Sequence, residues 1–149
     1  MLDYQDIFHT AFLVPDLDRA MQEMGESLNL QWATPWSYEP MHYWTPQGKA
    51  QATMRITYSK QGPQHVELIQ GNGFWTPSAT PSAHHVGVWS ADMKADVAAL
   101  MAQGWKPLSA SASPEEGWGR FCYLRPPSGG MLLELVSVEI KPLMEKRWV

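Results

Sequence analysis

The sequence has a single cysteine, no excess of basic residues and no long apolar segment, and each of these absences excludes a class of protein. In a chain of 149 residues the lone Cys122 cannot form an internal disulfide, and this favours a reducing compartment. A formal net charge of −4 argues against a nucleic-acid-binding surface, which needs a basic excess. No apolar run approaches the roughly 18 residues of a transmembrane helix, and no early segment is typical of a signal peptide. We therefore expect a cytoplasmic protein without nucleic-acid or membrane partners.

The remaining composition is that of an ordinary globular domain with an unusual number of tryptophans. Hydrophobic residues make up 44% of the chain and charged residues 17%, which is typical of a domain that buries one core. The length also fits a single domain spanning residues 1–149. Eight tryptophans supply a large amount of rigid aromatic surface for a core or for a ligand pocket.

The most informative pattern is an internal repeat. The passage Phe-His-Thr-Ala-Phe-Leu-Val-Pro-Asp aligns without a gap with His-His-Val-Gly-Val-Trp-Ser-Ala-Asp, so that His9 matches His85 and Asp16 matches Asp92. In each copy an apolar strand precedes the aspartate, and an apolar stripe at helical spacing follows it. Each aspartate is therefore predicted to be a helix N-cap. The repeat indicates one domain built from two half-size modules.

A second repeated motif ends each copy. The sequence His-Val-Glu-Leu-Ile-Gln occupies 65–70, and Leu-Leu-Glu-Leu-Val-Ser occupies 132–137, so that Glu67 and Glu134 are equivalent. Strand alternation turns each glutamate to the face opposite its immediate apolar neighbours. A carboxylate in an apolar strand is costly unless it is paired, hydrogen-bonded or bound to a metal. Two histidines and two glutamates at repeated positions indicate metal-ligand chemistry.

Each module is predicted to have the order β-α-β-β-β. Module 1 covers about 5–71, module 2 covers about 83–138, and a linker rich in glycine, proline and serine covers 72–82. The segment 34–50 is interpreted as an extended or looping insertion, and the chain from about 139 as a polar tail. The predicted helices are 17–28 and 93–103, and the predicted strands are 7–14, 52–59, 64–70, 84–89, 105–109, 119–125 and 131–137.

Several further side chains are candidates for the site. The repeat favours His85 over its neighbour His84 as the ligand, since adjacent strand residues face opposite ways. Loop aromatics such as Trp36 and Trp44 often line an apolar ligand pocket. We expect them to bind substrate together with two further histidines, His42 and His65, of which the second shares the strand face of Glu67.

The chain resembles the vicinal oxygen chelate superfamily, which includes glyoxalase I, methylmalonyl-CoA epimerase, extradiol dioxygenases and bleomycin-resistance proteins. The resemblance covers roughly 7–137. It rests on the opening Val-Pro-Asp-Leu-Asp-Arg-Ala-Met, the strand Val-Glu-Leu, the second strand His-Val-Gly-Val and the ending Pro-Pro-Ser-Gly-Gly-Met-Leu-Leu-Glu-Leu, in this order. The resemblance implies an α+β fold in which two βαβββ modules form a cupped mixed sheet around a divalent metal. It places the ligands at His9, Glu67, His85 and Glu134, and it implies a homodimer.

The residue types of the four predicted ligands indicate the class of reaction. Two histidines and two glutamates look like the site of glyoxalase I, and such a site binds one divalent ion such as Zn, Ni, Co, Mn or Fe. We expect a metal-dependent lyase, isomerase or epimerase in which Glu67 or Glu134 takes a proton next to a polarised carbonyl of a small, apolar or aromatic substrate. Two alternatives stay open: an Fe(II)-dependent extradiol-type dioxygenase, and a metal-free small-molecule-binding protein of the bleomycin-resistance type.

Overall fold

The computed structural model describes residues 1–80 and 82–149, and the strands of this part of the chain close into a barrel. The strands are β1 Ile7–Leu13, β2 Trp36–Thr45, β3 Gly48–Tyr58, β4 His65–Gly71, β5 Ala83–Ser90, β6 Lys106–Ala110, β7 Phe121–Arg125 and β8 Leu132–Ser137. The α-helices are α1 Leu17–Leu28, α2 Met93–Ala102 and α3 Lys141–Trp148. None of these helices combines the length and the apolar character needed to cross a membrane.

The two modules meet along their first strands. The order around the barrel is β1-β4-β3-β2-β6-β7-β8-β5. Within each module the first and last strands are parallel, β1 with β4 and β5 with β8, and the modules join where β1 runs antiparallel to β5. On the far side the barrel closes through a single residue pair, Trp44 with Ala110. This arrangement confirms the predicted α+β class and brings β4, β1, β5 and β8 together as four consecutive strands.

In each module the connection between the two parallel strands, β1 and β4 or β5 and β8, begins with a helix whose first turn is capped. The Asp16 carboxylate accepts a hydrogen bond from the Arg19 backbone N–H at 3.1 Å, and Asp92 accepts one from the Ala95 N–H at 3.0 Å. Each cap satisfies a backbone donor that the first turn leaves free, so α1 and α2 start directly after β1 and β5. Both predicted N-caps are thereby confirmed.

Strand alternation divides the apolar residues between the inside of the barrel and the layer under the helices. Tyr58 and Tyr123 belong to the interior cluster, whereas Leu124 and Leu135 pack with Val97 of α2 outside the sheet. The fully buried Cys122 also lies in the outer cluster. The interior therefore remains available for the polar residues of the repeat.

Two segments differ from the prediction. The segment 34–50 is extended, as one of its two interpretations has it, and not a looping insertion, because β2 pairs with β3 in a hairpin through the turn at 46–47. The chain after 139 is not a polar tail, because it forms α3, in which Met144 is buried and Trp148 stacks on His65. In both cases tertiary contacts stabilise an element whose local sequence signal is weak.

Candidate metal centre

Four residues at the repeated positions meet inside the barrel. His9 on β1, Glu67 on β4, His85 on β5 and Glu134 on β8 present ligand atoms that all lie within 4.8 Å of one another. The four come from adjacent strands of one chain, and all four are buried, with the two histidines 0% exposed and Glu67 and Glu134 4% and 7% exposed. The structure thus brings together all four residues that the repeat and the resemblance predict as ligands.

The two imidazole nitrogens lie at nearly equal distances from each other and from both carboxylate oxygens. The Nε2 atoms of His9 and His85 are 3.0 Å apart. The Glu134 Oε2 atom lies 3.1 Å from both nitrogens, and the Glu67 Oε2 atom lies 3.1 Å from His9 and 3.2 Å from His85. Neighbouring ligands that each bind one ion at about 2.1 Å are separated by about 3.0 to 3.4 Å. The spacing of the donor atoms therefore fits a shared divalent ion.

The same contacts do not satisfy the carboxylates as hydrogen bonds. Among residues 1–80 and 82–149, no donor is correctly oriented toward the buried Oε2 atoms of Glu67 and Glu134, although imidazole nitrogens lie close by. A buried carboxylate without a hydrogen bond is costly, and two beside each other are costlier still. Imidazole nitrogen and carboxylate oxygen are the donor types that such ions take. On this chemistry the four residues fit a divalent metal.

The pKa values of the four residues also indicate that the two buried carboxylates need a positive charge beside them. Burial lowers the pKa of His9, but the charges of Glu67 and Glu134 outweigh it and raise the pKa to about 9. At His85 burial is likewise outweighed, chiefly by Glu134, and the pKa is raised above 6.5. Burial acts to raise the pKa of both glutamates, yet the neighbouring imidazoles hold both values below the ordinary 4.5. At neutral pH the proton of His9 therefore offsets part of the charge of the two carboxylates.

His84 lies beside the group but outside it. Its Nδ1 atom is 2.9 Å from the Nδ1 atom of His85, so it contacts the far side of the ligand imidazole. Burial and then the neighbouring His85 lower the pKa of His84 to about 4. A neutral His84 can share a hydrogen bond with His85 and so fix the orientation of that ring.

Two tyrosines complete the repeat, and the sequence analysis missed both. In the strand register Tyr58 is the partner of Glu67 and Tyr123 is the partner of Glu134. The Tyr58 ring meets the edge of His9 at 5.3 Å, and the Tyr123 ring meets His85 at 4.9 Å. Burial, followed by the two glutamate charges, raises both tyrosine pKa values well above 10. Their repeated place on the strand before each glutamate strand was the available signal.

A small apolar chamber adjoins the group. Its volume is about 90 Å³, and its walls include Trp36, Met54, Phe121 and Val136. Glu67 and Glu134 line this chamber, whereas the fully buried His9 and His85 do not. The two carboxylates therefore face both the ligand group and the space that a substrate could occupy.

The structure brings Trp36 to this chamber but does not bring His42 or Trp44. All three have even numbers and would share one face of a regular strand. The register of β2 against β3 shifts between Tyr38 and Met41, and this bulge turns the later residues over. Both Tyr38 and Met41 consequently line the chamber, while His42 is exposed in a separate groove of about 520 Å³.

The remaining predicted substrate-binding residues pack against other groups. Trp44 meets the edge of Trp118 at 5.4 Å and belongs to the outer cluster. His65 is buried on the same strand as Glu67, with its Nδ1 atom 2.6 Å from the Ser59 carbonyl oxygen. The Trp148 ring covers His65 at 3.8 Å. His65 thus lies next to the group but under a helix.

Comparison with known proteins identifies the fold. The methylmalonyl-CoA epimerase of Mycobacterium tuberculosis superposes with a TM-score of 0.63 at 19% identity, over 92% of each chain. A variant of the Streptomyces coelicolor methylmalonyl-CoA epimerase, in complex with 2-nitronate-propionyl-CoA, gives 0.62 at 20% identity over 92% of this chain and 95% of that one. A hypothetical protein of Bacillus halodurans gives 0.59 at 15% identity over 88% and 92%. No curated protein matches the sequence.

The sequence also matches a family profile. The match extends over residues 8–123, which include all of β1 except Ile7, all of α1 and three of the four residues of the buried group. The fourth, Glu134, lies on β8 beyond the matched range but at the position equivalent to Glu67. The chain therefore belongs to the glyoxalase/bleomycin resistance protein/dioxygenase superfamily.

Proposed function

We propose that the protein is a metal-dependent isomerase, most specifically an epimerase, that moves a proton on carbon next to a carbonyl of a small substrate. The observation that carries this proposal is the position of Glu67 and Glu134, which belong to the ligand group and also line the apolar chamber. A group that only bound a structural ion would have no need to present its carboxylates to a cavity. The likeness in fold to methylmalonyl-CoA epimerases supports the same class of reaction.

His9, Glu67, His85 and Glu134 would hold the ion. A bound divalent ion supplies polarisation of a substrate carbonyl, which makes the neighbouring C–H bond more acidic. The histidines are suited to hold it because they are fully buried and the chamber does not reach them. His84 contacts His85 from behind and would orient its ring.

The glutamates would carry the proton. One glutamate, as the carboxylate, would accept the proton from the substrate carbon, while the other would enter the step as the carboxylic acid and give its own proton to carbon, so that the two exchange protonation states. Since Glu67 and Glu134 occupy equivalent positions in the two modules, they can contact the substrate from two sides. Removal on one side and return on the other inverts a stereocentre, whereas return to a neighbouring atom isomerises the substrate. Two symmetry-related carboxylates therefore suit an epimerase well.

The chamber walls would keep water away from the carboxylates during the proton transfer. Apolar side chains such as Met54, Ile56 and Val136 leave little room for water near the glutamates. Exclusion of water strengthens the electrostatic interactions in the site while the substrate is bound. Tyr58 and Tyr123, which stay neutral at their raised pKa values, lie beside the two carboxylates and can donate to them.

The experiment that tests the proposal follows C–H exchange directly. The protein loaded with Co²⁺ is incubated in D₂O with methylmalonyl-CoA and with a panel of short 2-hydroxy aldehydes, 2-hydroxy ketones and 2-methyl thioesters. We expect proton NMR to show loss of the signal next to the carbonyl in at least one class, and E67Q and E134Q to slow that exchange by at least about 100-fold.

The alternative functions give different results. Oxygen uptake with Fe(II) and a catechol, without any C–H exchange, would identify a dioxygenase. A protein that binds no metal, but binds small molecules unchanged, would identify a binding protein. Either result would contradict the proposed proton transfer.

A further inference from the structure

Helix α3, Lys141–Trp148, closes one side of the chamber. Met144 of this helix and Ile140 just before it line the chamber together with the two glutamates. Met144 is 7% exposed, whereas its neighbour Leu143 is 52% exposed on the outer face of the same helix. The helix therefore supplies part of the chamber wall through one buried side chain, Met144, next to the partly buried Ile140 that precedes it.

Aromatic contacts hold α3 over the chamber. The Trp148 ring stacks on His65, with centroids 3.8 Å apart and planes 17° from parallel. The Arg147 guanidinium lies 3.9 Å from the centre of the Trp36 ring, and the Lys141 ammonium lies 5.8 Å from that of Trp89. Both cations lie within the distance of about 6 Å from a ring centre at which cation–π attraction acts. Three contacts spread along eight residues fasten the helix at both ends.

The resulting volume is small for a ligand site. The chamber of about 90 Å³ is near the space of about three water molecules, at roughly 30 Å³ each. An engineered apolar cavity of about 150 Å³ takes up benzene, and sites for drug-sized ligands reach roughly 300 to 1,000 Å³. With α3 in place the chamber can hold a short aliphatic group but not an aromatic ring.

We propose that α3 is a size filter and that Met144 is a specificity-determining residue, so that the reacting part of the substrate is a compact aliphatic group of a few non-hydrogen atoms. This inference rests on the proposed function only for the ligand's attachment next to Glu67 and Glu134. The size limit itself follows from the chamber walls. It disfavours an aromatic substrate and names a narrower class than the apolar or aromatic one expected from the tryptophans.

Two hydroxamates test the size limit in the metal-loaded protein, because each offers the same pair of oxygens on a side chain of different size. We expect the Co²⁺ protein to bind acetohydroxamate with a Kd at least tenfold lower than that for benzohydroxamate, as measured by the cobalt absorption spectrum. M144A should shift the ratio of the two Kd values toward benzohydroxamate by at least tenfold. L143A, the matched variant on the exposed face, should leave the ratio unchanged.

A second measurement needs no metal. Benzene binding, followed by NMR of the metal-free protein, should be detected for M144A and for I140A but not for the unaltered protein or L143A. Equal binding of both hydroxamates by the unaltered protein, or benzene binding without any substitution, would overturn the size filter. An unchanged Kd ratio and no benzene binding in M144A and I140A would also overturn it. Failure to bind metal would instead defeat the proposed function, and the benzene measurement would still decide the size limit.

Discussion

The imidazole of His9 occupies the space that a side chain at Gly87 would need. The two residues are direct partners in the β1–β5 register, and a Cβ atom at position 87 would overlap the His9 ring. His9 is fully buried and cannot move into solvent. Gly87 on β5 thus makes room for the imidazole of His9 on β1, where the two modules meet.

Substitution of this glycine should damage the metal centre more than the fold. We expect G87A to lower metal affinity by about 10- to 100-fold, the range found when a residue that supports a ligand is lost. Overpacking should reduce the free energy of unfolding by about 1 to 3 kcal/mol. Isothermal titration with Ni²⁺ and urea denaturation would measure the two effects. G130A is the control, since a Cβ atom there would meet no atom closer than 3.7 Å. Equal affinity in G87A and G130A would contradict the interpretation.

The adjacent histidines should respond differently to removal. We expect H85A to reduce the metal content from about one ion per chain to near zero, because it deletes one of the four ligands. H84A should retain the ion with affinity reduced by about tenfold, because His84 contacts only the far nitrogen of His85. Elemental analysis after gel filtration gives the metal content of each variant. Metal lost from H84A but kept by H85A would reverse the assignment.

The stabilisation by metal should grow as the pH rises from 6.5 to 9. The pKa of His9 is about 9 in the metal-free protein, above its ordinary value of 6.5. Protonated His9 therefore stabilises the metal-free fold fully below pH 6.5, and this contribution is lost as the pH rises through 9. Metal binding requires the neutral imidazole and must displace this proton at lower pH.

Thermal unfolding with and without saturating Ni²⁺ would measure this dependence. The difference in Tm should be smallest near pH 6.5 and largest near pH 9. The variant H9A should show almost no difference in Tm at any pH in this range, since it lacks one of the four predicted ligands and should not retain the ion. A Tm difference that falls over this range in the unaltered protein would refute the electrostatic account.

The two tyrosines should differ in their effect on stability despite their equivalent positions. The Tyr123 hydroxyl accepts a hydrogen bond from the Trp75 indole N–H at 3.2 Å, and Trp75 is 1% exposed. Y123F would leave that buried donor unpaired, at a cost of about 1 to 3 kcal/mol. We expect Y58F to cost less, since no tryptophan donor depends on its hydroxyl within the described residues. Urea denaturation of both variants checks the order, and an equal loss would contradict it.

The meeting of the four buried residues could be predicted from the sequence because three patterns coincide on them. The repeat pairs His9 with His85 and Glu67 with Glu134, and strand alternation turns each glutamate away from its apolar neighbours. The resemblance to the superfamily then supplies the fold that brings the strands together. Parallel pairing of β1 with β4 and of β5 with β8 completes the group.

The chamber was not predictable in the same way. Trp36, His42 and Trp44 lie at even positions and would share a strand face, but a bulge between Tyr38 and Met41 breaks this pattern, and Pro40 was the sign of it in the sequence. Helix α3 is only eight residues long and mostly polar, so its helical state depends on the burial of Met144 and on its aromatic contacts. Local pattern cannot reveal an element that exists because of tertiary packing.

The central claim is that four residues of one chain hold one divalent ion. The most direct measurement is the metal content of the purified protein and of the variants H9A, E67A, H85A and E134A after each is offered Co²⁺ and then gel-filtered. We predict about one ion per chain in the unaltered protein and a loss of at least about 90% in each variant. An unaltered protein that binds no ion, or four variants that all retain it, would contradict the claim.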